Sequence, residues 1–383
     1  MEYRLEDIFD LQMGKTPSRN IPEYWNSKDN KWISIADLSN CGKYIKETKE
    51  CLSDCAVFEN RISQIPKNTV VMSFKLSIGK TAITTEPMYS NEAIMSFRDK
   101  HVVELIPDYI YYMFSYMNWE DGTNKAVMGK TLNKATLSKF KVNIRNIGEQ
   151  RKIVEILDKV TKIIDDYKSE LVSLDELIKA RFVEMFGDLR ENPRGWMLHS
   201  INEMADVITD GEHATPKRTS EGIYLLSARN ILNHSLQLND VDYIDRAEYD
   251  RISKRIVPKE GDVLISCSGT VGRCCSVPAG IKFQMVRSAA LIRFKKEVLP
   301  VFAEYMITSE YIQEQINKAK TASSQANLFQ SKIANLKGFM PPLELQNEFV
   351  EFVKQVDKSR FVIQKALDEA QLLFDSLMQE YFE

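Results

Sequence analysis

The chain has 383 residues, room for two or three domains, and its 44% hydrophobic and 27% charged content are those of an ordinary water-soluble globular protein. No stretch nears the roughly 18 consecutive apolar residues of a membrane span. The acidic start Met1-Glu2-Tyr3-Arg4-Leu5-Glu6-Asp7 lacks the apolar run of a secretory signal, so the cytoplasm is the expected compartment.

The net charge of −3 argues against a nucleic-acid partner only until it is divided along the chain. Residues 1–147 carry 20 basic and 18 acidic side chains, and residues 193–343 carry 19 and 16. Residues 148–192 carry 8 and 11, and residues 344–383 carry 4 and 9. Two mildly basic stretches alternate with two acidic ones, which leaves nucleic-acid binding open.

Residues 1–147 mix short strands and helices. Runs rich in β-branched residues, bounded by Gly, Pro or Asn, predict strands at Trp32–Ile35 and Thr69–Ser73, and a helix is expected at Asp108–Met117. In that helix Tyr109, Tyr111, Tyr112, Phe114 and Tyr116 sit at helical spacing among apolar neighbours, so core packing is favoured over a base-stacking platform. Asn146-Ile147-Gly148-Glu149 then admits a long helix ending at Gly187, with Asn192-Pro193-Arg194-Gly195 as a linker. Residues 193–343 repeat the mixture, with strands at Ile223–Leu226, Asp262–Cys267 and Ala289–Phe294 and a helix at Val301–Lys318. Pro341-Pro342-Leu343-Glu344 opens a second long helix over 344–383. The fold class is mixed α/β (α+β).

The two long helices are copies. Residues 132–187 align without a gap on residues 328–383, offset by 196, with eleven identities: Leu132/Leu328, Lys141/Lys337, Gln150/Gln346, Val154/Val350, Glu155/Glu351, Val160/Val356, Lys162/Lys358, Leu171/Leu367, Leu177/Leu373, Glu184/Glu380 and Phe186/Phe382. Roughly three are expected by chance, and the period is far longer than that of a solenoid repeat. Within the first copy Ile153, Leu157, Val160, Ile164, Tyr167, Leu171, Leu174 and Ile178 keep a 4-3-4-3 spacing. The second copy carries Phe349, Val353, Val356, Arg360, Ile363, Leu367, Ala370 and Phe374, with only Arg360 interrupting the stripe. Sustained heptads predict a coiled coil, and because neither helix has a near neighbour in sequence, each is expected to pair antiparallel with the other.

The stretches before the helices echo each other more loosely. Leu5-Glu6-Asp7-Ile8 resembles Ile201-Asn202-Glu203-Met204, Thr16-Pro17 matches Thr215-Pro216, and Ile65-Pro66-Lys67 matches Val257-Pro258-Lys259. Ser77-Ile78-Gly79-Lys80 matches Thr270-Val271-Gly272-Arg273. The globular parts have diverged by insertion while the helices kept register.

Signs of chemistry are weak. Gly14-Lys15-Thr16, Gly79-Lys80-Thr81 and Gly129-Lys130-Thr131 resemble the end of a phosphate-binding loop, but Phe9, Phe74 and Asn124 stand where that motif needs its first glycine. The only Pro-Pro, Pro341-Pro342, lacks the flanks of an amino-methyltransferase motif, and no nucleophile elbow or H-E-x-x-H is present. Cys41, Cys51 and Cys55 suggest a zinc site, yet His101, His199, His213 and His234 show no paired ligand spacing. Reduced, unliganded cysteines, also at Cys267, Cys274 and Cys275, are expected.

The order of globular part, long helix, globular part, long helix resembles the specificity (S) subunit of type I restriction-modification systems over the whole chain. The landmarks are Gly14-Lys15-Thr16-Pro17, Thr215-Pro216-Lys217-Arg218, Ser268-Gly269-Thr270-Val271-Gly272 and the helix openings at Gln150 and Gln346. The first half departs at Lys75-Leu76-Ser77-Ile78-Gly79, which lacks the extra glycine, and at Ile147-Gly148-Glu149, which replaces a Pro-Leu turn.

The resemblance implies two target recognition domains, each reading one half of a split, non-palindromic double-stranded DNA site. It also implies a pseudo-two-fold arrangement in which the antiparallel helices set the spacer and dock two methyltransferase subunits. Restriction subunits would join these. S-adenosylmethionine and ATP with Mg would be bound by the partners, with no cofactor, metal or catalytic residue in this chain.

Recognition needs donors for phosphate and side chains aimed at base edges, and three loops in each half carry them. The first half offers Lys15, Thr16, Ser18 and Arg19, then Lys75, Ser77 and Lys80, then Lys130, Thr131, Asn133 and Lys134. The second offers Lys217 and Arg218, then Ser266, Ser268, Thr270 and Arg273, then Ser323, Ser324, Gln325, Asn327 and Lys332, with Arg229 and Arg287 on the same face. The rival readings are a coiled-coil adaptor with two peptide-binding ends and a DNA-modifying enzyme with degenerate motifs.

Overall fold

The computed structural model describes residues 1–75, 77–119, 124–126, 129–319 and 327–383, with the backbone alone at 124–126 and 129–131. The chain divides into two units, Met1–Lys168 with Lys365–Glu383, and Ser169–Gln364. Among the described residues no helix is long and apolar enough to cross a membrane.

In the first unit a five-stranded sheet runs in the order Phe9–Met13, Ile94–Asp99, Val70–Ser73, Thr81–Thr84 and Tyr44–Ile45. Val70–Ser73 lies buried along its whole length, which suits its β-branched start. A smaller sheet orders Glu50–Leu52, Asn30–Ile33 and Tyr89–Ser90, the first pair antiparallel and the second parallel. Helix Pro107–Tyr116, which begins on its proline, packs on the main sheet. Phe114 meets Phe9 and Phe97 with ring centroids 6.1 and 4.7 Å apart, and Tyr109 and Tyr112 are buried with it. The tyrosines of this helix are core, not a stacking platform.

The second unit repeats the plan. Its main sheet orders Ala205–Asp210, Ala289–Phe294, Val263–Ser266 and Cys274–Ser276. Its smaller sheet orders Asp242–Ile244, Ile223–Leu226 and Phe283–Met285, again antiparallel then parallel. Helix Pro300–Thr308 stands where Pro107–Tyr116 stands in the first unit, and also begins on a proline.

Two expectations need correction. The strand expected at Trp32–Ile35 is Asn30–Ile33, and Ile35 begins a helix, Ile35–Asn40. Ser34 and Asp37 form a capping box, with Ser34 N donating to the Asp37 carboxylate at 2.8 Å, and this overrides the strand preference of the flanking isoleucines. The helix expected over Val301–Lys318 is two, Pro300–Thr308 and Glu310–Ala319. Ser309 turns extended at ψ 150, its hydroxyl donates to Met306 O at 2.6 Å, and its carbonyl accepts from Gln313 N to start the next helix.

The long helices span Ile147–Phe186 and Leu343–Phe382, 40 residues each. Asn146 starts the first: its Oδ1 accepts from Glu149 N at 3.0 Å while the Glu149 carboxylate accepts from Asn146 N at 3.2 Å. Gly187 stops it in the left-handed region at φ +82, where a Cβ would lie 2.8 Å from Pro193 Cγ.

The helices run antiparallel within each unit. In the first unit Arg145, at the entry to the first helix, donates to Tyr381 O near the end of the second at 3.3 Å. Ile153 and Leu157 share a core there with Phe374, Leu377, Met378 and Phe382. In the second unit Phe182 and Phe186 meet Phe349 at 5.3 and 5.7 Å, and Asp175 pairs with Arg360 at 2.6 Å. Along the stripe Ile153, Leu157, Val160, Ile164, Ile178, Phe349, Val353, Val356 and Ile363 are buried. Tyr167, Leu171, Leu174, Arg360, Leu367, Ala370 and Phe374 are half-buried. The stripe extends past its expected end through Phe182, Met185 and Phe186, and through Met378.

The units differ where globular part meets helix. In the first, Lys43 Nζ lies 2.5 Å from Asp108 and 2.6 Å from Asp158 of the long helix, and the Tyr112 hydroxyl also donates to Asp158. In the second, a cavity of about 650 Å³ occupies that place, lined by His234, Val301, Glu304, Tyr305, Lys354 and Arg360 among others.

Candidate nucleic-acid interface

Strand register brings the loops of each half to one end of its main sheet. Met13 pairs with Met95 and Ser73 with Ile94, so the chain leaves both strands on the same side. In the second half Asp210 pairs with Ala290 and Ser266 with Ala289, to the same effect. The third loop closes on the second: Leu132 N donates to Phe74 O at 3.1 Å, and Leu328 N to Cys267 O at 2.9 Å.

The first loop starts on a glycine because nothing larger fits. A Cβ on Gly14 would lie 2.1 Å from Ser90 O, and one on Gly211 2.4 Å from Met285 O. A buried proline follows in each half, Pro17 and Pro216. In the first half two indoles hold the loop: Trp32 Nε1 donates to Lys15 O at 3.2 Å and Trp25 Nε1 to Ser18 O at 3.0 Å. Thr16 donates to Glu92, and Ser18 is exposed. Arg19 lies over the Trp25 ring at 3.6 Å and grips Glu50 with two nitrogens, a bond that raises its pKa above the ordinary guanidinium value.

The second half builds its first loop from ion pairs. Asp242 holds Arg218 at 2.9 Å and Arg229 at 3.1 Å. Asp210 is bonded by Arg255 at 2.5 Å, and Glu212 lies 3.6 Å from Arg251. Arg251 also bonds Glu248 at 2.9 Å and holds that carboxyl below its usual range, while Glu248 accepts from Lys217 N at 3.2 Å. Sequence reasoning missed Arg251 and Arg255, which neutralise carboxylates that would repel phosphate. The pairing of Arg251 with Glu248 three residues earlier is local, but Glu212 and Asp210, which Arg251 and Arg255 also meet, lie about 40 residues upstream.

The second loop is the same device twice. Ser73 Oγ donates to Ser77 O and accepts from Lys80 N at 3.1 Å, while Gly79 N donates to Ser73 O at 2.9 Å. Ser266 Oγ donates to Thr270 O at 2.6 Å and accepts from Arg273 N at 2.9 Å, while Gly272 N donates to Ser266 O at 2.9 Å. Both glycines are left-handed, at φ +88 and +92. Ser266 is therefore corrected: it is fully buried, with its hydroxyl spent on bracing the loop, so it cannot reach a base. Ser77 and Thr270 are exposed at the tip, and Ser268 is half-buried with its backbone bridged to Asn327.

The candidates sort into free and committed groups. Lys75, Lys80 and Lys134 in the first half, and Lys217, Arg273, Arg287 and Lys332 in the second, make no ion pair among the described residues. Lys15 Nζ donates to Asn60 O at 2.8 Å and makes no ion pair among the described residues. Arg19, Arg218 and Arg229 are held by carboxylates. Asn133 Oδ1 caps helix Lys134–Leu137 by accepting from Thr136 N at 2.8 Å. Lys130 and Thr131 have only their backbone described, and Ser323, Ser324 and Gln325 lie outside the described residues. Free cations suit phosphates, and the hydroxyls and amides between them suit base edges.

Among the described residues no group of three His, Cys, Asp or Glu side chains is placed to hold a metal ion. Cys267, beneath the second loop, is a neutral thiol whose burial pushes it up to about 12.

Comparison with known proteins gives a consistent neighbourhood. The profile of the family described as Type I restriction modification DNA specificity domain matches residues 1–173 and 193–370. The MjaIX specificity subunit of a type I restriction enzyme from Methanocaldococcus jannaschii is 26% identical over 223 residues, 53% of this chain and 51% of that protein. The EcoprrI specificity subunit from Escherichia coli is 24% identical over 172 residues, 42% of each. The chain's match thus spans about half the length of these two curated relatives. Among solved structures, the S subunit of a type I restriction-modification system from M. genitalium superposes with a TM-score of 0.55 at 13% identity, covering 100% of this chain and 96% of that one. A chain from a type I R-M system studied for complex assembly and conformational transition gives 0.59 at 14%, covering 100% and 97%. These two share the fold.

Proposed function

We propose that this chain, which belongs to the Type I restriction modification DNA specificity domain family, is the sequence-reading subunit of such a system, each globular part recognising one half of a split double-stranded DNA site. The observation that carries this reading is the paired loop frame: two similar sheets each gather their loops at one end, and those loops carry cations that make no ion pair among the described residues in both halves. Residues 1–147 and 193–343 would be the reading ends. Residues 148–192 and 344–383 would set the spacer between half-sites and dock two methyltransferase subunits. Restriction subunits would join that assembly, S-adenosylmethionine and ATP with Mg would act on the partners, and this chain would have no catalytic role. Because the halves carry different side chains on one frame, the target is expected to be non-palindromic. The family assignment gives no support to the peptide-binding adaptor.

Salt titration tests the reading. If six to ten cations of these loops neutralise phosphates, affinity for the target duplex should fall about 10³–10⁵-fold between 50 and 200 mM salt. In complex with its methyltransferase, the chain should prefer one duplex over scrambled controls. Equal binding to both, or a flat salt dependence, would remove the basis for the proposal.

A further inference from the structure

One side chain is repeated with all its bonds. Gln150 and Gln346 sit in the first turn of the two long helices, and both are fully buried. Gln150 Oε1 accepts from Ile106 N at 2.9 Å, and its Nε2 donates to Glu104 O at 2.9 Å and Arg145 O at 2.8 Å. Gln346 Oε1 accepts from Leu299 N at 2.8 Å, and its Nε2 donates to Glu297 O and Pro341 O, each at 2.8 Å. Each amide thus ties three backbone positions together: the helix entry and the two ends of the turn that leads into helix Pro107–Tyr116 or Pro300–Thr308. An apolar residue of equal size would fill the space but leave a buried N–H and two carbonyls unpaired.

The place of these amides gives them leverage. They hold the segment that follows Asp99 or Phe294, whereas the reading loops leave the opposite end of the same sheets, beside Ile94 and Ala289. Six strand residues separate the two ends, about 20 Å at ~3.3 Å per residue. A tilt of about 10° at the joint would move the loops by ~3.5 Å, close to the ~3.4 Å axial rise from one base pair of DNA to the next. A loose joint therefore blurs spacer length by a whole step while leaving the loops themselves intact.

We propose that Gln150 and Gln346 are positioning residues that lock each reading end to its long helix and set how sharply the protein discriminates spacer length. This rests on the DNA-reading function proposed above.

The test uses the full chain with its methyltransferase subunits and substitutes Gln150→Met and Gln346→Met singly, so that a folding failure at one joint leaves the other to decide. Binding is compared for duplexes with the native spacer, with the spacer changed by one base pair, and with one half-site scrambled. The spacer penalty should fall at least tenfold while the half-site penalty stays within twofold. Hydrogen exchange should rise at the Ile106 amide in Q150M and at Leu299 in Q346M, with the reading loops unchanged.

An unaltered spacer penalty, equal loss of both penalties, or unchanged exchange at these amides would overturn the assignment. If the unsubstituted complex itself shows no sequence preference, the functional reading fails in the control arm and this inference goes with it.

Discussion

The two halves share a frame and differ in how it is fastened. Both brace the second loop with a buried serine and a left-handed glycine, and both enter the long helix through a buried glutamine. The first half adds a charged clamp, Lys43 between Asp108 and Asp158. At the matching places of the second half, Val301 and Lys354 line a cavity, and His234 turns onto Glu304 of the globular part's own helix at 3.0 Å. Duplication preserved what fixes the loops and the joint, and let the secondary fastenings drift. Both halves pack rings at the joint, but the second gathers more on one side chain, Phe182 meeting Phe186, Phe302, Phe339 and Phe349 within 6.3 Å, where the first sets Tyr109 and Tyr116 against Phe382.

That contrast can be broken most forcefully at Phe182. Its repeat partner is Met378, also buried, in the core of the first unit. Truncating Phe182 to alanine should cost about 3–5 kcal/mol, and truncating Met378 about 2–5 kcal/mol, with Phe182 the larger because it opens a ring-lined void. Denaturant unfolding gives the size of each loss, and hydrogen exchange locates it, over 169–364 for Phe182. A greater loss from Met378 would mean that aromatic packing does not distinguish the second unit.

The clamp comes next. Lys43→Met leaves Asp158 with the Tyr112 hydroxyl alone, and charged hydrogen bonds of this kind contribute about 1.5–3 kcal/mol. His234→Ala should cost less, because its imidazole bonds Glu304 and not the long helix. Thermal melts of the two variants rank them, and a larger loss from His234→Ala would reverse the comparison.

The heptads carried both long helices, and the β-branched runs carried most strands, because each pattern is local. What sequence hid depended on distance. Asp242 meets Arg218 across 24 residues, and no short-range signal marks that arginine as already held. Ser266 lies among hydroxyls that look alike in sequence, and only burial separates the brace from the exposed tip at Thr270. Gln150 and Gln346 were visible as an identity, yet their work lies in backbone groups 44 and 47 residues upstream. The Ser34–Asp37 box, by contrast, lies within three residues, and in the fold it prevails over the strand preference of the isoleucines around it.

The smallest expected effects separate free cations from held ones. Lys80→Ala removes a charge that pairs with no carboxylate among the described residues, so it should weaken binding on any sequence and lower the salt slope by about 1. Arg19→Ala and Arg229→Ala remove charges already answered by Glu50 and Asp242, so the slope should hold.

Acid acts on the same distinction in the second half. Glu248 has its folded pKa lowered by the Arg251 bond, so its contribution is complete above the ordinary glutamate value of about 4.3 and is lost as pH falls through the lower folded value. Protonation then frees Arg251 and loosens the loop that Glu248 anchors at Lys217 N. Exchange at the Lys217 amide should rise as pH drops through that window once the intrinsic rate is corrected for, whereas the Lys15 loop, hung on two indoles, should keep its protection. Equal loosening of both loops would show that the ion-paired and indole-held designs respond to acid alike, and that the halves differ less in their fastening than their contacts imply.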